Sequence, residues 1–217
     1  MLSCKFNDII SPINFRRVIL VKIGVISDTH GHEMRFAKAV ESFFHDADLI
    51  LHAGDVLYHG PRNPMLEDYN PAKLAQRIND SKIPIVIARG NCDSDVDQNV
   101  INVPLQAPFA YVYAMNKRIV LTHGTHFTYC NNPESADWSK MIAEIAAQAN
   151  KLQADIFITG HIHNNILERQ GNSILLNPGS PALPNRSDKR PTVAVITDDK
   201  IEILDLNDGS VLMNMSI

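Results

Sequence analysis

The chain is short of cysteine: Cys4, Cys92 and Cys130 are all it has among 217 residues. Their number is odd and no two stand in a C-x-x-C pair, which speaks against a disulfide framework and fits a reducing compartment, the cytoplasm. Long apolar runs are missing too. No window stays apolar for the ~18 residues that a membrane span needs, so no membrane partner is expected. Basic excess is also missing. The formal charge is -4, whereas a non-specific nucleic-acid binder normally displays a basic surface, and no duplex nucleic acid is expected as a partner. There are no repeats, low-complexity tracts or linkers, which leaves one domain. Apolar residues are plentiful, 45% of the total. That is enough for a sizeable core, at a length that α/β folds often reach as a single unit.

The N-terminus has two readings. Arg16-Arg17 followed by Val18-Ile19-Leu20-Val21 has the outline of a signal peptide's basic and apolar regions. Lys22 interrupts that run, however, and a polar motif begins at Asp28, so cleavage there would damage it. Val18–Ser27 is therefore read as the first core strand, residues 1–17 as an N-terminal extension and residues 18–217 as the domain. An ordered extra segment, a disordered arm and a start codon assigned too early all fit residues 1–17.

Residues 33–44 place Phe36, Val40 and Phe43/Phe44 at helical spacing. A second buried strand follows at 48–53, then a Pro/Gly/Asn-rich surface loop over 58–71. Asn70 has the chemistry of a helix cap with Pro71 at the first position, and a third strand covers 84–89. Beyond it, short strands alternate with turn residues: 109–115, 117–122, 165–169, 173–176, 192–197, 200–206 and 210–216. Asn116-Lys117, Gly171-Asn172, Asp198-Asp199 and Asn207-Asp208-Gly209 supply the hairpin chemistry. One longer helix, about Ser135–Lys151, interrupts them, with Trp138, Met141, Ile142 and Ile145 as a buried face or a subunit contact. Alternating βα units first and hairpins later predict an α/β fold of two sheets packed face to face with helices outside.

Five motifs stand at the ends of five apolar runs: Asp28-Thr29-His30, Gly54-Asp55, Gly90-Asn91-Cys92-Asp93, His123-Gly124 and Gly160-His161-Ile162-His163. Ligands bind at the carboxyl edge of such strands in open α/β sheets. Asp28 and His30, two apart, face one side of an extended chain. Singly, D-x-H and G-D are the material of ordinary turns. Alternating histidines after a buried strand have fewer structural uses, and the ordered set of five points to a metal site. Its donors are carboxylate, amide and imidazole, suited to hard or borderline divalent cations. If Asp55 bridges, two ions ~3.5–4 Å apart activate a bridging water for in-line attack on phosphorus. Such a pair outweighs the carboxylates and leaves a positive pocket attractive to a phosphodiester anion, and Ser27, Ser180 and Cys92 need form no covalent intermediate.

The same motifs resemble those of the calcineurin-like metallophosphoesterase superfamily, whose pattern is D-x-H, G-D, G-N-H-D/E, H and G-H-x-H. HGPRNP after Gly54-Asp55, RGNCDS and the later NPGSP resemble, more narrowly, its small bacterial YfcE-type phosphodiesterases. The resemblance covers residue 18 to the end. It implies a four-layer α-β-β-α sandwich of two mixed sheets flanked by helices. It implies that Asp28, His30, Asp55 and His163 bind one metal ion, and Asp55, Asn91, His123 and His161 the other. The two divalent ions are then most often manganese, with nickel, iron or zinc as alternatives, and relatives suggest a homodimer or homotetramer.

Two departures from the superfamily pattern matter. Its usual histidine after Asn91 is Cys92 here, as in the YfcE-type branch. A thiol near substrate is a weak donor with an ordinary pKa near ~8.5, which disfavours dianionic monoesters and poor leaving groups. Ligation of a thiolophilic metal by Cys92 is the lesser reading. Many relatives read H-G-H, whereas this chain has His123-Gly124-Thr125-His126, with the second histidine displaced by one. Asn91, Arg62 and His126 are the candidate substrate contacts, with His59 on the same loop as Arg62. Asp93 reads as an acceptor that orients a ligand or as a turn residue. His32 reads as a helix start, His52 as a packed strand residue and His45 as solvent-facing.

The expected function is hydrolysis of a small phosphodiester by a metal-bridging hydroxide held by Asp55. The alternatives are a phosphomonoesterase, disfavoured by Cys92, and a non-catalytic scaffold, disfavoured because every expected ligand position is filled.

Overall fold

The computed structural model describes residues 21–61, 63–127, 137–185 and 187–217. The expected N-terminal extension, 1–17, lies outside these, as do Arg62 and the start of the helix expected at Ser135.

Strand β1 (Ile23–Ile26) pairs in parallel with β2 (Leu49–His52), which pairs with β3 (Ile85–Ala88), which carries the two-residue β4 (Leu105–Gln106). On the other side of β1, β10 (Thr192–Ile196), β11 (Lys200–Asp205) and β12 (Val211–Ser216) run antiparallel, completing a mixed seven-stranded sheet. The second sheet has five strands in the order β5 (Phe109–Ala114), β6 (Lys117–Thr122), β7 (Ile156–Ile158), β9 (Ser173–Pro178), β8 (Asn165–Gln170). Its centre is parallel and both edges are antiparallel. Both sheets are mixed, as expected.

Side chains alternate across each strand, and here the alternation sorts the core into three layers. Ile23, Val25 and Leu51 face inward against Ile119, Leu121, Ile156 and Ile158 of the other sheet. Ile26, Ile50 and Ile87 face outward under helices α1 (Glu33–Ala39) and α2 (Pro71–Asn79), meeting Phe36, Leu74 and Ile78. Val120, Phe157 and Leu175 form the outer face of the second sheet under α3 (Trp138–Lys151), meeting Met141, Ile142 and Ile145. The result is the α-β-β-α sandwich. Each such fully buried aliphatic or aromatic side chain contributes roughly 1.5–3 kcal/mol from burial.

Local chemistry sets the boundaries. Asn70 accepts from Lys73 N at 3.0 Å and Pro71 takes the first turn of α2, as its sequence predicts. Asp137 caps α3 through Ser139 N and Lys140 N, and Trp138 at its start is half exposed whereas the other three predicted face residues are buried. Three expectations are corrected. Among the described residues the first strand begins at Ile23, because Val21 N and Lys22 N donate to the carboxylates of Asp198 and Asp48 and not to a ladder; residues 18–20 of the expected strand lie outside the described residues. The β5–β6 turn is Met115-Asn116, both at φ 54°, one residue before the predicted pair, because Ala114 pairs with Lys117. Helical residues 33–44 continue past α1 as a π-helical turn, Val40–Phe44, which seats the Phe44 ring over Gly24 where a Cβ would lie 2.6 Å away.

Candidate metal centre

The turns leaving β1 and β2 are zipped together by backbone bonds: Asp28 N to Gly54 O, His30 N to Asp55 O and Gly31 N to Val56 O, at 3.0, 3.0 and 2.8 Å. Gly160 N donates to His123 O at 3.1 Å and His161 N donates to the Asp28 carboxylate, so the turns of the second sheet join the same cluster. Asp28, His30, Asp55, His161 and His163 all have positive φ, between 46° and 72°. That left-handed region is uncommon for non-glycine residues and costs about 1–3 kcal/mol each, and such outliers gather at functional sites. The glycines between them hold the approach open. A Cβ on Gly90 would lie 2.1 Å from Asp55 Oδ1, and one on Gly160 would lie 2.0 Å from Ser27 Oγ.

Hydrogen bonds fix which imidazole nitrogen faces inward. His30 Nδ1 donates to Tyr58 O at 2.8 Å, His163 Nδ1 to Leu183 O at 2.7 Å and His123 Nδ1 to Ala53 O at 2.7 Å. Carbonyls only accept, so in each neutral ring Nε2 is left as a bare lone pair. Yet His30 Nε2 and His163 Nε2 are 3.1 Å apart, with Asp28 Oδ1 3.3 Å from the latter. His123 Nε2 stands 3.2 Å from His161 Nδ1, 3.1 Å from Asn91 Oδ1 and 3.2 Å from Asp55 Oδ2. In neutral rings these inward-facing lone pairs would repel one another, a repulsion that a shared proton or a bound metal cation relieves. The donor set of imidazole, carboxylate and amide fits two divalent ions. Asp28, His30 and His163 form one group and Asp55, His123 and His161 another, with Asp55 Oδ2 also 3.7 Å from His30 Nε2. One carboxylate oxygen thus stands between the groups.

Charge follows the same plan. Burial would raise the Asp28 carboxyl, but His163 and His123 outweigh it and hold it well below the usual carboxylate range. Burial opposes, and His123 prevails, at Asp55, which lies at about 2. Burial would lower His123, but Asp55 and Asp28 raise it to about 9. Burial and the neighbouring His123 bring His161 down to about 4.

Three supports around the cluster escaped the sequence reading in full or in part. His52, fully buried, accepts from Gly54 N through Nδ1 at 3.1 Å. Its Nε2 donates to Thr29 Oγ1 at 2.9 Å, whose own hydroxyl donates to Val56 O. The ring is neutral, burial lowering it to about 4, and ties the two ligand turns together. Asp93 is an acceptor for Asp55 N, Val56 N and Gly90 N, the first of its two expected roles. Ser180 Oγ donates to Asp28 O at 2.8 Å. No local pattern flags a serine or a strand histidine whose partners come from distant segments.

The cluster floors a cavity of ≈ 700 Å³. One wall is Gly60, Pro61, Asn63 and Pro64, and another Leu183, Pro184, Asn185 and Lys189, with Asn91, Cys92, Thr125 and Ile162 between. Asn91 and Cys92 therefore both line the cavity. The Cys92 Sγ also falls within 4.8 Å of the ligating atoms of His30 and Asp55. Burial and the Asp55 carboxylate push its thiol up, so it stays neutral. His126 is not brought into this cavity: its ring packs on Phe109 and Phe127, at 5.1 and 4.3 Å between centroids, because Thr125 takes the wall position. His59 turns to Tyr69, Nδ1 to hydroxyl 3.4 Å. Arg62 lies outside the described residues. His32 starts α1 and His45 is exposed, as expected.

Similarity to known proteins identifies the family. Residues 21–200 match the calcineurin-like phosphoesterase superfamily domain. Phosphodiesterase YfcE of Escherichia coli strain K12 is 32% identical over 199 residues, 91% of this chain and 99% of the relative. A solved structure of that E. coli phosphoesterase superposes with a TM-score of 0.74 at 31% identity, covering 91% of this chain and 100% of the other. A probable metallophosphoesterase of Methanothermobacter thermautotrophicus is 27% identical, covering 83% of this chain and 88% of the relative. Vacuolar protein sorting 29 of Cryptosporidium parvum shares the fold at 18% identity, with a TM-score of 0.61 and coverages of 91% and 98%.

Proposed function

The chain belongs to the calcineurin-like phosphoesterase superfamily, and from that premise we propose that it is a phosphodiesterase. It cleaves small phosphodiesters with two divalent metal ions, manganese foremost. The observation that carries this reading is the convergence of two donor groups, Asp28, His30 and His163 beside Asp55, His123 and His161, with His30 Nε2 and His163 Nε2 3.1 Å apart. A cation is the natural occupant of that gap. When bound, the pair of ions supplies Lewis acidity and a deprotonated water at neutral pH.

Asp28, His30, Asp55 and His163 would hold one ion, and Asp55, Asn91, His123 and His161 the other, Asp55 being common to both sets. The second oxygen of Asp55 is pinned by Cys92 N at 2.8 Å, which keeps the bridging oxygen aimed inward. Pro61, Pro64, Ile162, Leu183 and Pro184 give the cavity apolar patches on its walls. Cys92, neutral and half-buried, offers a leaving oxygen only a weak S–H donor. This favours diesters with good leaving groups over dianionic monoesters. No described helix is long and apolar enough to cross a membrane. A cytoplasmic place, a single domain over 18–217 and a homodimer or homotetramer complete the reading.

The test is a side-by-side screen of the manganese-loaded protein against phosphomonoesters, cyclic nucleotides and linear diesters. Turnover of linear diesters above monoesters supports the reading. Turnover of monoesters alone, or none after full metal loading, removes it.

A further inference from the structure

Lys189 is a cation on the wall of the metal cavity, exposed and without an ion-pair partner among the described residues. Its neighbours are engaged: Arg190 Nε stands 3.5 Å from Asp188 Oδ2, and Arg190 Nη1 3.7 Å from Asp205 Oδ2. The backbone at Lys189 is left-handed, φ 51°, a conformation that glycine would adopt without strain. The turn is closed locally, Arg190 N donating to Asp188 Oδ1 at 3.2 Å across Lys189.

The segment that carries it is tied to the ligands. His163 Nδ1 donates to Leu183 O at 2.7 Å and Asn185 N to His163 O at 2.9 Å, while Thr192 N donates to Ser180 O at 3.1 Å on the far side. The segment is thereby anchored on both sides of Lys189, at Asn185 beside His163 and at Thr192 beside Ser180. Beside the metal cluster, the rest of the described lining offers amides, prolines, aliphatic side chains, the Thr125 hydroxyl and the Cys92 thiol, with no Phe, Tyr or Trp on which a base could stack. A substrate whose only charge is its phosphodiester is satisfied at the floor and leaves Lys189 unused.

We propose that Lys189 forms a second anion subsite, so that the preferred substrates are compact aliphatic phosphodiesters bearing a carboxylate or phosphoryl group on one ester arm. This rests on the phosphodiesterase reading above. The charge-assisted contact is made inside a concave site and weakens with salt.

The experiment uses the manganese-loaded full chain and matched aryl diesters: p-nitrophenyl propyl phosphate, its carboxyethyl counterpart and its phosphonoethyl counterpart. The expected kcat/KM ratio of charged to neutral arm is about tenfold at low salt, falling toward one near molar salt. The larger of the two charged-arm ratios tells carboxylate from phosphoryl. Lys189→Met brings the ratio to about one, Lys189→Arg keeps it and Lys189→Glu inverts it. Calorimetric binding of the corresponding non-hydrolysable phosphonates gives the same ratio in Kd. Hydrolysis without a charge preference, or a preference that survives Lys189→Met, overturns the subsite. A Lys189-dependent binding preference without hydrolysis keeps the subsite and overturns the activity.

Discussion

Asp93 holds Asp55 by the backbone: its Oδ2 accepts from Asp55 N at 2.9 Å and from Gly90 N at 2.8 Å, while Oδ1 accepts from Val56 N at 2.7 Å. One buried carboxylate therefore fixes two ligand turns, those of Asp55 and Asn91. Asp93→Ala strands three buried N–H groups, each unsatisfied donor costing about 1–3 kcal/mol. The expected outcome is a clear fall in unfolding free energy together with a roughly 10–100-fold loss of metal affinity. Asp93→Asn, which keeps one acceptor oxygen, should fall between. Denaturant melts and metal titration measure the two effects separately. Wild-type affinity in a folded Asp93→Ala protein would contradict the positioning role.

Away from the metal cluster, Glu33 supplies a pH test. It is buried at the start of α1, with Arg77 Nε in contact with Oε1 and Lys73 Nζ 3.2 Å from Oε2. Burial works to raise its carboxyl, but hydrogen bonds from Arg77 and Lys73 prevail and lower it. A depressed folded-state value means stability that is full above the ordinary carboxylate range and is lost as pH falls through the folded value. Glu33→Gln should cost about 1–2 kcal/mol at neutral pH. The difference from wild type should shrink on acidification below about pH 4. A pH-independent difference would assign the loss to packing instead of charge.

Much of this was legible because strand ends are local. Apolar runs followed by Asp, His or Asn locate every candidate ligand, and the shift from βα units to hairpins gives the two-sheet sandwich. Asn70-Pro71 gives the start of α2 for the same local reason. What was hidden depends on distant partners. His52 reads as one more strand residue until Thr29 and Gly54 are seen around it. β4 has only Leu105–Gln106 and exists because Ile87 and Ala88 offer it an edge. His126 is one residue from the expected spacing, and that residue turns its ring from the cavity to Phe109. Lys189 carries no motif at all, and only the anchoring of its loop on His163 brings it to the cavity wall.

Metal removal separates the ligand roles. Chelation should abolish hydrolysis, with manganese restoring it better than magnesium, since magnesium favours oxygen donors and this set is rich in imidazole. Asp55→Asn should lower activity by more than about 100-fold and weaken both ions, whereas His161→Ala or His163→Ala should weaken mainly one. Metal counting on the purified variants decides this. Two equivalents held tightly by Asp55→Asn would remove the bridge.

Cys92 offers the finest discrimination. Its Sγ shares a 4.8 Å cluster with the ligating atoms of His30 and Asp55, and burial and Asp55 keep the thiol protonated and a poor donor. An imidazole at this position would donate a charge-assisted hydrogen bond near neutral pH. Cys92→His should therefore raise kcat/KM on poor leaving groups or monoesters by roughly 10–100-fold relative to an activated aryl diester. Cys92→Ala should lose less than about tenfold on the activated diester, because a good leaving group needs little protonation. Both variants are measured on an aryl diester, an aryl monoester and a cyclic nucleotide, with metal content determined in parallel. If Cys92→Ala is as inactive as a ligand variant while still holding two metal ions, the thiol itself takes part in the reaction and the weak-donor account fails. If it loses a metal ion, Cys92 belongs with His30 and Asp55 as a ligand.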